Sequence, residues 1–245
     1  MHINFHNNNS GDYSVFWKFR NIGTVSLHHS KFHASTCHFG MNLSTYDVRF
    51  APDFGEQLSA LVQMPLQIML GSDKIEMIRF LEAAGFHCRR KCYEAEVTEK
   101  DLVKSIRTDN WAPLCHAGEP NYLDCMDLLY RYYQDTHKQI SPLTASFSEF
   151  SKEIPKTAYF MREMEVLKQA IFIEKNEIAY CCTSDINGFR SFAVGIVKEM
   201  FSQFPTLCFE ADDCDPAAME LLSLFRLNLK ESYNTFIRES SRICE

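Results

Sequence analysis

The apolar pattern of the chain changes its period within the stretch RFLEAAGFHCRRKCYEAEV, residues 79–97. Up to Ala84 the apolar residues recur at helical spacing, and Gly85 stands where a glycine commonly ends a helix. From Cys88 to Val97 the side chains alternate with a period of two, which is typical of a strand. The pattern therefore predicts a helix that ends at Gly85 and a strand that follows it directly.

The same two periods predict the remaining elements. We expect strands at 13–20, 22–28, 35–44, 66–71, 87–97, 157–164, 166–174, 177–184, 206–210 and 231–238. We expect helices at 53–63, 74–84, 121–136, 146–153, 189–202 and 215–226. A polar segment that contains proline and glycine, residues 107–121, predicts a connection between two sets of elements.

This order of elements occurs twice. When the chain is aligned with itself at an offset of 140 residues, seven identical pairs meet without a gap: Ser44 and Ser184, Gly55 and Gly195, Gln63 and Gln203, Pro65 and Pro205, Asp73 and Asp213, Leu81 and Leu221, Tyr93 and Tyr233. The repeated order of elements supports an internal duplication. We predict two lobes, an N-terminal one over residues 1–107 and a C-terminal one over residues 108–245.

The composition limits the classes of protein that fit the chain. It has 245 residues, of which 46% are hydrophobic, enough for a packed core. A net charge of −7 argues against a nucleic acid as the main partner. No apolar run is long enough to cross a bilayer, and the N-terminus lacks the basic and apolar segments of a secretion signal. We therefore expect a cytoplasmic protein with reduced cysteines and no nucleic-acid or membrane partner.

The stretch EIAYCCTSDINGFRSFAVGIVKEMF, residues 177–201, carries the most specific chemical signal. Arg190-x-x-Ala193-x-Gly195 follows an alternating strand and opens a helix, and it resembles the Gln/Arg-x-x-Gly-x-Gly/Ala motif of the GNAT superfamily of N-acetyltransferases. Small residues let the backbone approach a pyrophosphate, and amides at a helix N-terminus bind its oxygens. The segments PLQIMLGSDKIEMIRFLEAAGFHCRRKCYEAEV and TLCFEADDCDPAAMELLSLFRLNLKESYNTFIRE resemble the half of the GNAT fold that follows this motif.

The resemblance implies an α/β (α+β) fold of two GNAT-like lobes, each a mixed, mostly antiparallel sheet flanked by helices and splayed between its fourth and fifth strands. It implies acetyl-CoA as co-substrate and transfer of its acetyl group to a small-molecule amine or a peptide amine. The residues that the resemblance assigns to the cofactor are Arg190, Ser191, Phe192, Ala193, Val194, Gly195, Asp215 and the backbone of Cys182 and Thr183.

Two departures from the family pattern change this picture. In the first lobe Asp53 stands where the motif has a glycine, and a carboxylate repels phosphates, so we expect the first lobe to be structural and the second to bind the cofactor. The tyrosine that many family members use as a general acid falls at Leu81 in the first lobe and at Leu222 in the second. The main alternative is therefore an acyl-CoA-binding or interaction protein whose catalytic residues have eroded.

Other residues could supply the chemistry that the missing tyrosine would provide. Aminolysis of a thioester needs a base for the amine proton and a donor for the leaving thiolate. Glu177 and Asp185, at the two ends of one predicted strand, are candidates for the base. Tyr233 is the candidate donor that we favour, with Cys214 and Ser223 as further options.

A second cluster of possible ligands lies in HHSKFHASTCH, residues 28–38. It contains His28, His29, His33, Cys37 and His38, which are residue types that bind zinc. On strands this spacing spreads the side chains over both faces and around a turn. We therefore expect no metal site here, and a metal-binding regulatory module stays the third alternative for the function.

Overall fold

The structure is a computed structural model that describes residues 2–8, 11–103 and 112–240. Its strands are β1 (Ile3–Asn7), β2 (Asp12–Trp17), β3 (Arg20–His29), β4 (Cys37–Leu43), β5 (Leu66–Gly71), β6 (His87–Val97), β7 (Leu114–His116), β8 (Thr157–Glu163), β9 (Val166–Glu174), β10 (Glu177–Thr183), β11 (Leu207–Asp212) and β12 (Tyr233–Arg238). Its α-helices are α1 (Ala51–Val62), α2 (Ile75–Ala83), α3 (Pro120–His137), α4 (Phe147–Phe150), α5 (Phe189–Phe201) and α6 (Pro216–Leu222). Two 3-10 turns lie at Glu99–Asp101 and Ile186–Gly188.

The chain forms two compact units, and each of them is built from segments that are separated in the sequence. The first contains Met1–Lys91, Ile140–Thr144 and Tyr233–Glu245, and the second contains Cys92–Gln139 and Ala145–Ser232. The chain therefore passes from the first unit to the second within β6, and its last strand returns to the first unit. The predicted lobe boundary after residue 107 falls outside the described residues.

The first unit is a mixed sheet in the order β1-β2-β3-β4-β5-β12. Four neighbouring pairs are antiparallel, and only β4 and β5 run parallel. The buried side chains of α1 and α2 pack against one face of this sheet, with Phe50, Phe54, Phe80 and Phe86 fully buried. Burying an aromatic side chain stabilises a fold by roughly 1.5–3 kcal/mol, so these four rings are a large part of the first core.

The end of α2 confirms the predicted glycine stop. Gly85 adopts φ +82°, and its amide donates to the carbonyl of Glu82 over 3.0 Å. The amide of Phe86 donates to the carbonyl of Leu81, also over 3.0 Å, and both of these side chains are fully buried. This pair of bonds with an apolar contact is the Schellman ending of a helix, and it turns the chain directly into β6.

The second unit is a mixed sheet in the order β6-β11-β10-β9-β8-β7, in which only β10 and β11 run parallel. The helices α5 and α6 cover one face, where they share a core with Ile171, Ile178 and Phe209. The helix α3 covers the opposite face, where the ring of Tyr122 lies 5.9 Å from that of Phe172. The sheet is therefore the middle of three layers.

The predicted duplication appears as repeated geometry. The bounds of β4, 37–43, shifted by 140 residues, are the bounds of β10, 177–183. The shifted bounds of α1, β5 and α2 agree with those of α5, β11 and α6 within two residues. The parallel pairing begins at Cys37 in one unit and at Glu177 in the other, again 140 residues apart.

Candidate functional site

The strands β10 and β11 pair over only part of their length. Their register joins Glu177 to Cys208 and Ile178 to Phe209 and then ends, although the strands have seven and six residues. The register of β10 with β9 shifts between Ile178 and Tyr180, which marks a bulge at the same point. Beyond it β10 keeps its ladder with β9 and has none with β11, so the two strands diverge. We call this opening the fork.

The open end of the fork leads to the N-terminus of α5. The hydroxyl of Thr183 accepts from the amide of Asp185 over 3.0 Å and donates to its carbonyl over 2.6 Å. The carboxylate of Asp185 accepts from the backbone and side-chain nitrogens of Asn187, over 3.0 and 2.9 Å. These bonds form the 3-10 turn that enters α5, whose N-terminal end carries the positive end of the helix dipole.

The predicted cofactor motif lies inside α5 and not ahead of it. Phe192, Ala193 and Val194 are buried in the core, and Gly195 is partly buried. Because α5 begins at Phe189, the amides from Phe192 onward belong to the helical ladder. Of the predicted motif residues, only Arg190 and Ser191 lie in the first turn of the helix.

The side chain of Arg190 is held by α6. Its Nη1 lies 2.8 Å from Oε1 of Glu220 and donates to the hydroxyl of Ser223 over 2.6 Å. The Arg190 side chain keeps 39% of its surface exposed, so the guanidinium is at the surface between the first turn of α5 and the last turn of α6.

Asp215 is the N-cap of α6. Its Oδ1 accepts from the amides of Ala217 and Ala218, over 2.9 and 3.0 Å, and from the hydroxyl of Tyr132 on α3, over 2.6 Å. Burial raises the pKa of Asp215, although these hydrogen bonds favour its ionised form. The carboxylate predicted to touch the cofactor is therefore already engaged by α3 and α6.

At the closed end of the fork, four glutamates surround a cleft of about 440 Å³. The residues that line this acidic cleft are Glu94, Ala95, Glu96, Glu177, Cys208, Phe209 and Glu210. Burial, and then the neighbouring charge of Glu94, raises the pKa of Glu210. Of these carboxylates only Glu177 was predicted from the sequence to be a base, because Glu94, Glu96 and Glu210 become neighbours only when β6 pairs with β11.

Comparison with known proteins gives a result for the fold only. No protein-family model matches the chain, and neither does any curated protein. The solved GCN5-related N-acetyltransferase from Sphaerobacter thermophilus matches with a TM-score of 0.53 at 8% identity, over 96% of this chain and 82% of that one. A conserved protein from Enterococcus faecalis V583, named a probable N-acyltransferase, matches with a TM-score of 0.52 at 10% identity, over 94% of this chain. A tandem GNAT protein from the clavulanic acid biosynthesis pathway has a TM-score of 0.47 at 8% identity, over 95% of this chain and 83% of that one.

The chain has the GNAT fold. The Sphaerobacter and Enterococcus matches each cover more than nine-tenths of the chain, so the likeness includes both compact units. The chain spans 62% of the length of the Enterococcus protein. In the second unit the fork lies between β10 and β11, the fourth and fifth strands from β7, as the GNAT resemblance implied.

The first unit repeats the GNAT half-fold with a different helix start. Pro52 and Asp53 occupy the first turn of α1, and the amide of Ile3 donates to the Asp53 carboxylate. Phe50, just ahead of this helix, is fully buried against Trp17 and Phe80, with ring centroids 4.8 and 5.2 Å away. Pro52 has no backbone N–H that could donate to a phosphate. The carboxylate of Asp53 already accepts from the amide of Ile3 in β1.

Tyr233, the predicted proton donor, belongs to the first unit. It is the first residue of β12, pairs with Gly71 of β5 and is 44% exposed. The other predicted site residues belong to the second unit. Within that unit, Glu177 and Thr183 lie at opposite ends of β10, with Cys182 buried next to Thr183.

The histidine cluster lies in the first unit. His28 and His38 face each other across β3 and β4, with ring centroids 5.5 Å apart, and Nδ1 of His33 lies 3.2 Å from the carbonyl of Pro142. Burial lowers the pKa of His38 to about 4. Among the described residues, no three histidine, cysteine, aspartate or glutamate side chains are arranged to hold a metal ion. The metal-binding alternative therefore gains no support from this part of the chain.

Two further findings bear on the setting of the protein. None of the nine cysteines within the described ranges forms a disulfide. Cys37, Cys92, Cys115, Cys125, Cys181 and Cys182 are buried, Cys208 and Cys214 are partly buried, and Cys88 is exposed. None of the helices in residues 2–8, 11–103 and 112–240 has the length and apolar character needed to cross a bilayer.

Proposed function

We propose that the chain is an acyl-CoA-dependent N-acyltransferase, most simply one that transfers an acetyl group from acetyl-CoA to an amine. The observation that supports this most is the fork of the second unit, with the N-terminus of α5 at its open end and carboxylates at its closed end. The free thiols suit a reducing compartment, and we propose the cytoplasm.

The residues of the second unit fit a CoA thioester. The first turn of α5 would hold the diphosphate, because a helix N-terminus favours anions, and Arg190 would add its charge on leaving Glu220. The backbone of Cys182 and Thr183 would pair with the pantetheine as an added strand does, on the side where β11 gives no ladder. Thr183 and Glu177 are six residues apart, roughly 20 Å along a strand, so the thioester would lie toward Glu177.

The acidic cleft suits the amine. A cluster of carboxylates attracts a cation, and Glu177 would accept the proton that the amine loses as its nitrogen bonds to the thioester carbonyl carbon. The C–S bond then breaks, and its electron pair leaves with the sulfur. Glu210 is a second candidate for the base, because a raised pKa brings a carboxylate closer to the range of a general base.

The alternative is an acyl-CoA-binding or interaction protein without catalysis. Two observations favour it: Leu222 stands where the family resemblance implies a tyrosine, and Asp215 already accepts from Tyr132 and from two amides of α6. Both functions require the same fork, so binding of acetyl-CoA does not separate them.

Turnover separates them. The full-length protein is incubated with acetyl-CoA and a panel of aliphatic diamines, polyamines, aryl amines and a peptide with a free N-terminus. Released CoA is measured by chromatography, because a thiol reagent would also react with the protein's own cysteines. We expect amine-dependent release that falls about 10²- to 10⁴-fold in Glu177→Gln, the usual contribution of a general base. The matched control is Glu174→Gln, which changes the exposed strand partner of Glu177.

Three results are informative. Release that Glu177→Gln removes and Glu174→Gln leaves intact supports the enzyme. Saturable acetyl-CoA binding without release for any amine supports the alternative. Absence of acetyl-CoA binding to the folded protein overturns both.

A further inference from the structure

Tyr132 packs against a different hydrophobic core from most of the buried residues of α3. Four buried residues of α3, Tyr122, Cys125, Met126 and Leu129, face the layer below the sheet that contains Phe172. Tyr132 instead packs against the core shared by α5, α6, Ile178 and Phe209, on the opposite face of the sheet. The sheet is open between these two layers at the fork, so the Tyr132 ring passes through the fork.

The Tyr132 hydroxyl is anchored at the far side. It donates to Oδ1 of Asp215 over 2.6 Å and accepts from the amide of Ala217 over 3.0 Å. Burial, together with the charge of Asp215, raises the pKa of Tyr132, so the hydroxyl keeps its proton and its role as donor. Cys181 of β10 is close enough to Tyr132 to contribute to this electrostatic environment. The ring therefore lies between Cys181 on one arm of the fork and Asp215 beyond the other.

We propose that Tyr132 is the gate of the fork: its ring closes the space along β10, and an acyl-CoA thioester enters when the ring swings away from Asp215 and Ala217. Cys181, the neighbour of Tyr132 on β10, belongs to the part of this strand that has no ladder with β11 and could pair with a ligand. The ligand named here rests on the proposed function, whereas the gate itself rests on the contacts of Tyr132.

The gate predicts that a mutation inside the binding site increases the affinity for the ligand, where most such mutations decrease it. A protein that binds only when open has an apparent affinity reduced by the fraction of open molecules. Tyr132→Phe removes both hydrogen bonds of the closed state and keeps the ring. At the usual net value of a hydrogen bond, about 2- to 13-fold for each, the loss of both shifts the equilibrium toward the open state by about 5- to 150-fold. Tyr132→Ala also removes the ring and, where the variant folds, should shift the equilibrium further toward the open state.

The first test is calorimetric titration of the full-length protein with acetyl-CoA. We expect Tyr132→Phe to bind at least about fivefold more tightly than the wild type. The matched control is Tyr130→Phe, which removes a hydroxyl from the same helix that donates to the carbonyl of Ala145 over 2.9 Å, outside the fork. It should leave the affinity unchanged. Weaker or equal binding by Tyr132→Phe, with a wild type that binds, overturns the gate.

The second test needs no ligand. Cys181 is 7% exposed and borders the fork, so its alkylation by iodoacetamide reports opening. Peptide mapping by mass spectrometry separates it from Cys125, which belongs to α3, is fully buried and is the internal control. We expect alkylation of Cys181, and not of Cys125, to be at least about threefold faster in Tyr132→Phe than in the wild type. Equal rates in Tyr132→Phe overturn the gate whatever the titration gives. Faster alkylation without acetyl-CoA binding by any variant supports the gate and overturns the proposed function.

Discussion

Replacing Gly85 by alanine tests the helix ending that joins α2 to β6. Gly85 has φ +82°, and alanine in the left-handed region costs roughly 1–2 kcal/mol. The added Cβ would also lie 2.2 Å from Nη1 of Arg238, so the guanidinium has to move. Arg238 donates to the carbonyl of Ala84 and, over 2.9 Å, to the hydroxyl of Ser59. Losing these two bonds costs about 2–3 kcal/mol more.

We therefore expect Gly85→Ala to lower the free energy of unfolding by roughly 3–5 kcal/mol, measured by urea unfolding of the full-length protein and followed by circular dichroism. Gly11→Ala is the matched control. Gly11 belongs to the same unit and has φ +80°, but its Cβ would meet no atom closer than 3.7 Å, the carbonyl oxygen of Leu27. That variant should lose only about 1–2 kcal/mol.

The contact between residue 85 and Arg238 can be tested separately in a protein that lacks the arginine side chain. In a protein that already carries Arg238→Ala, the Gly85→Ala change should cost only the left-handed penalty of roughly 1–2 kcal/mol. If Gly85→Ala and Gly11→Ala destabilise equally in the wild-type background, the reasoning about Arg238 is refuted.

Three further predictions concern the second unit. Asp185→Asn keeps the acceptor for Asn187 but removes a negative charge at the end of α5, so acetyl-CoA should bind more tightly in a calorimetric titration, and weaker binding would contradict the placement of the diphosphate. Because burial raises the folded-state pKa of Asp215, the wild type should lose stability relative to Asp215→Asn as the pH rises above the ordinary value of 3.8. If the difference in urea midpoint between the two proteins is the same at pH 4 and at pH 7, this reasoning is refuted. A double-mutant cycle of Tyr132→Phe and Asp215→Ala should give a coupling of about 0.5–3 kcal/mol in urea unfolding, and additive effects would mean that the bond between them is not formed.

The alternation of apolar and polar residues predicted the helices and strands well in segments where a single period, helical or strand-like, is present. The α2 ending was predictable because the amides of Gly85 and Phe86 bond to carbonyls no more than five residues away in the sequence. The strands β1 and β7 were not predicted. β7 has three residues inside a segment rich in turn signals, and β1 lies in a polar terminus. Such strands form because a neighbouring strand pairs with them, and their own sequence gives little sign of it.

The candidate site was predictable only in part. The duplication and the motif at Arg190 directed attention to α5, which begins at Phe189 as predicted. The burial of Phe192 and Val194 in the core, which places most of the motif inside the helix, was not predicted. The acidic cleft joins Glu94 and Glu210, which are far apart in sequence and meet only through the pairing of β6 with β11. Tyr132 has the spacing of an ordinary helix residue, and its path through the fork follows from the divergence of two strands.

The most direct test of the account is calorimetric titration of the full-length protein with acetyl-CoA, comparing the wild type with Ser191→Glu. Ser191 is exposed in the first turn of α5, where an added acid favours the helix but repels a diphosphate. Ser202→Glu, at the other end of α5, is the control. We predict saturable binding by the wild type and by Ser202→Glu, and a loss of at least about tenfold in affinity, some 1.4 kcal/mol, in Ser191→Glu. Equal affinities for all three proteins, or no binding by the wild type, would contradict the claim that α5 and the fork hold the cofactor.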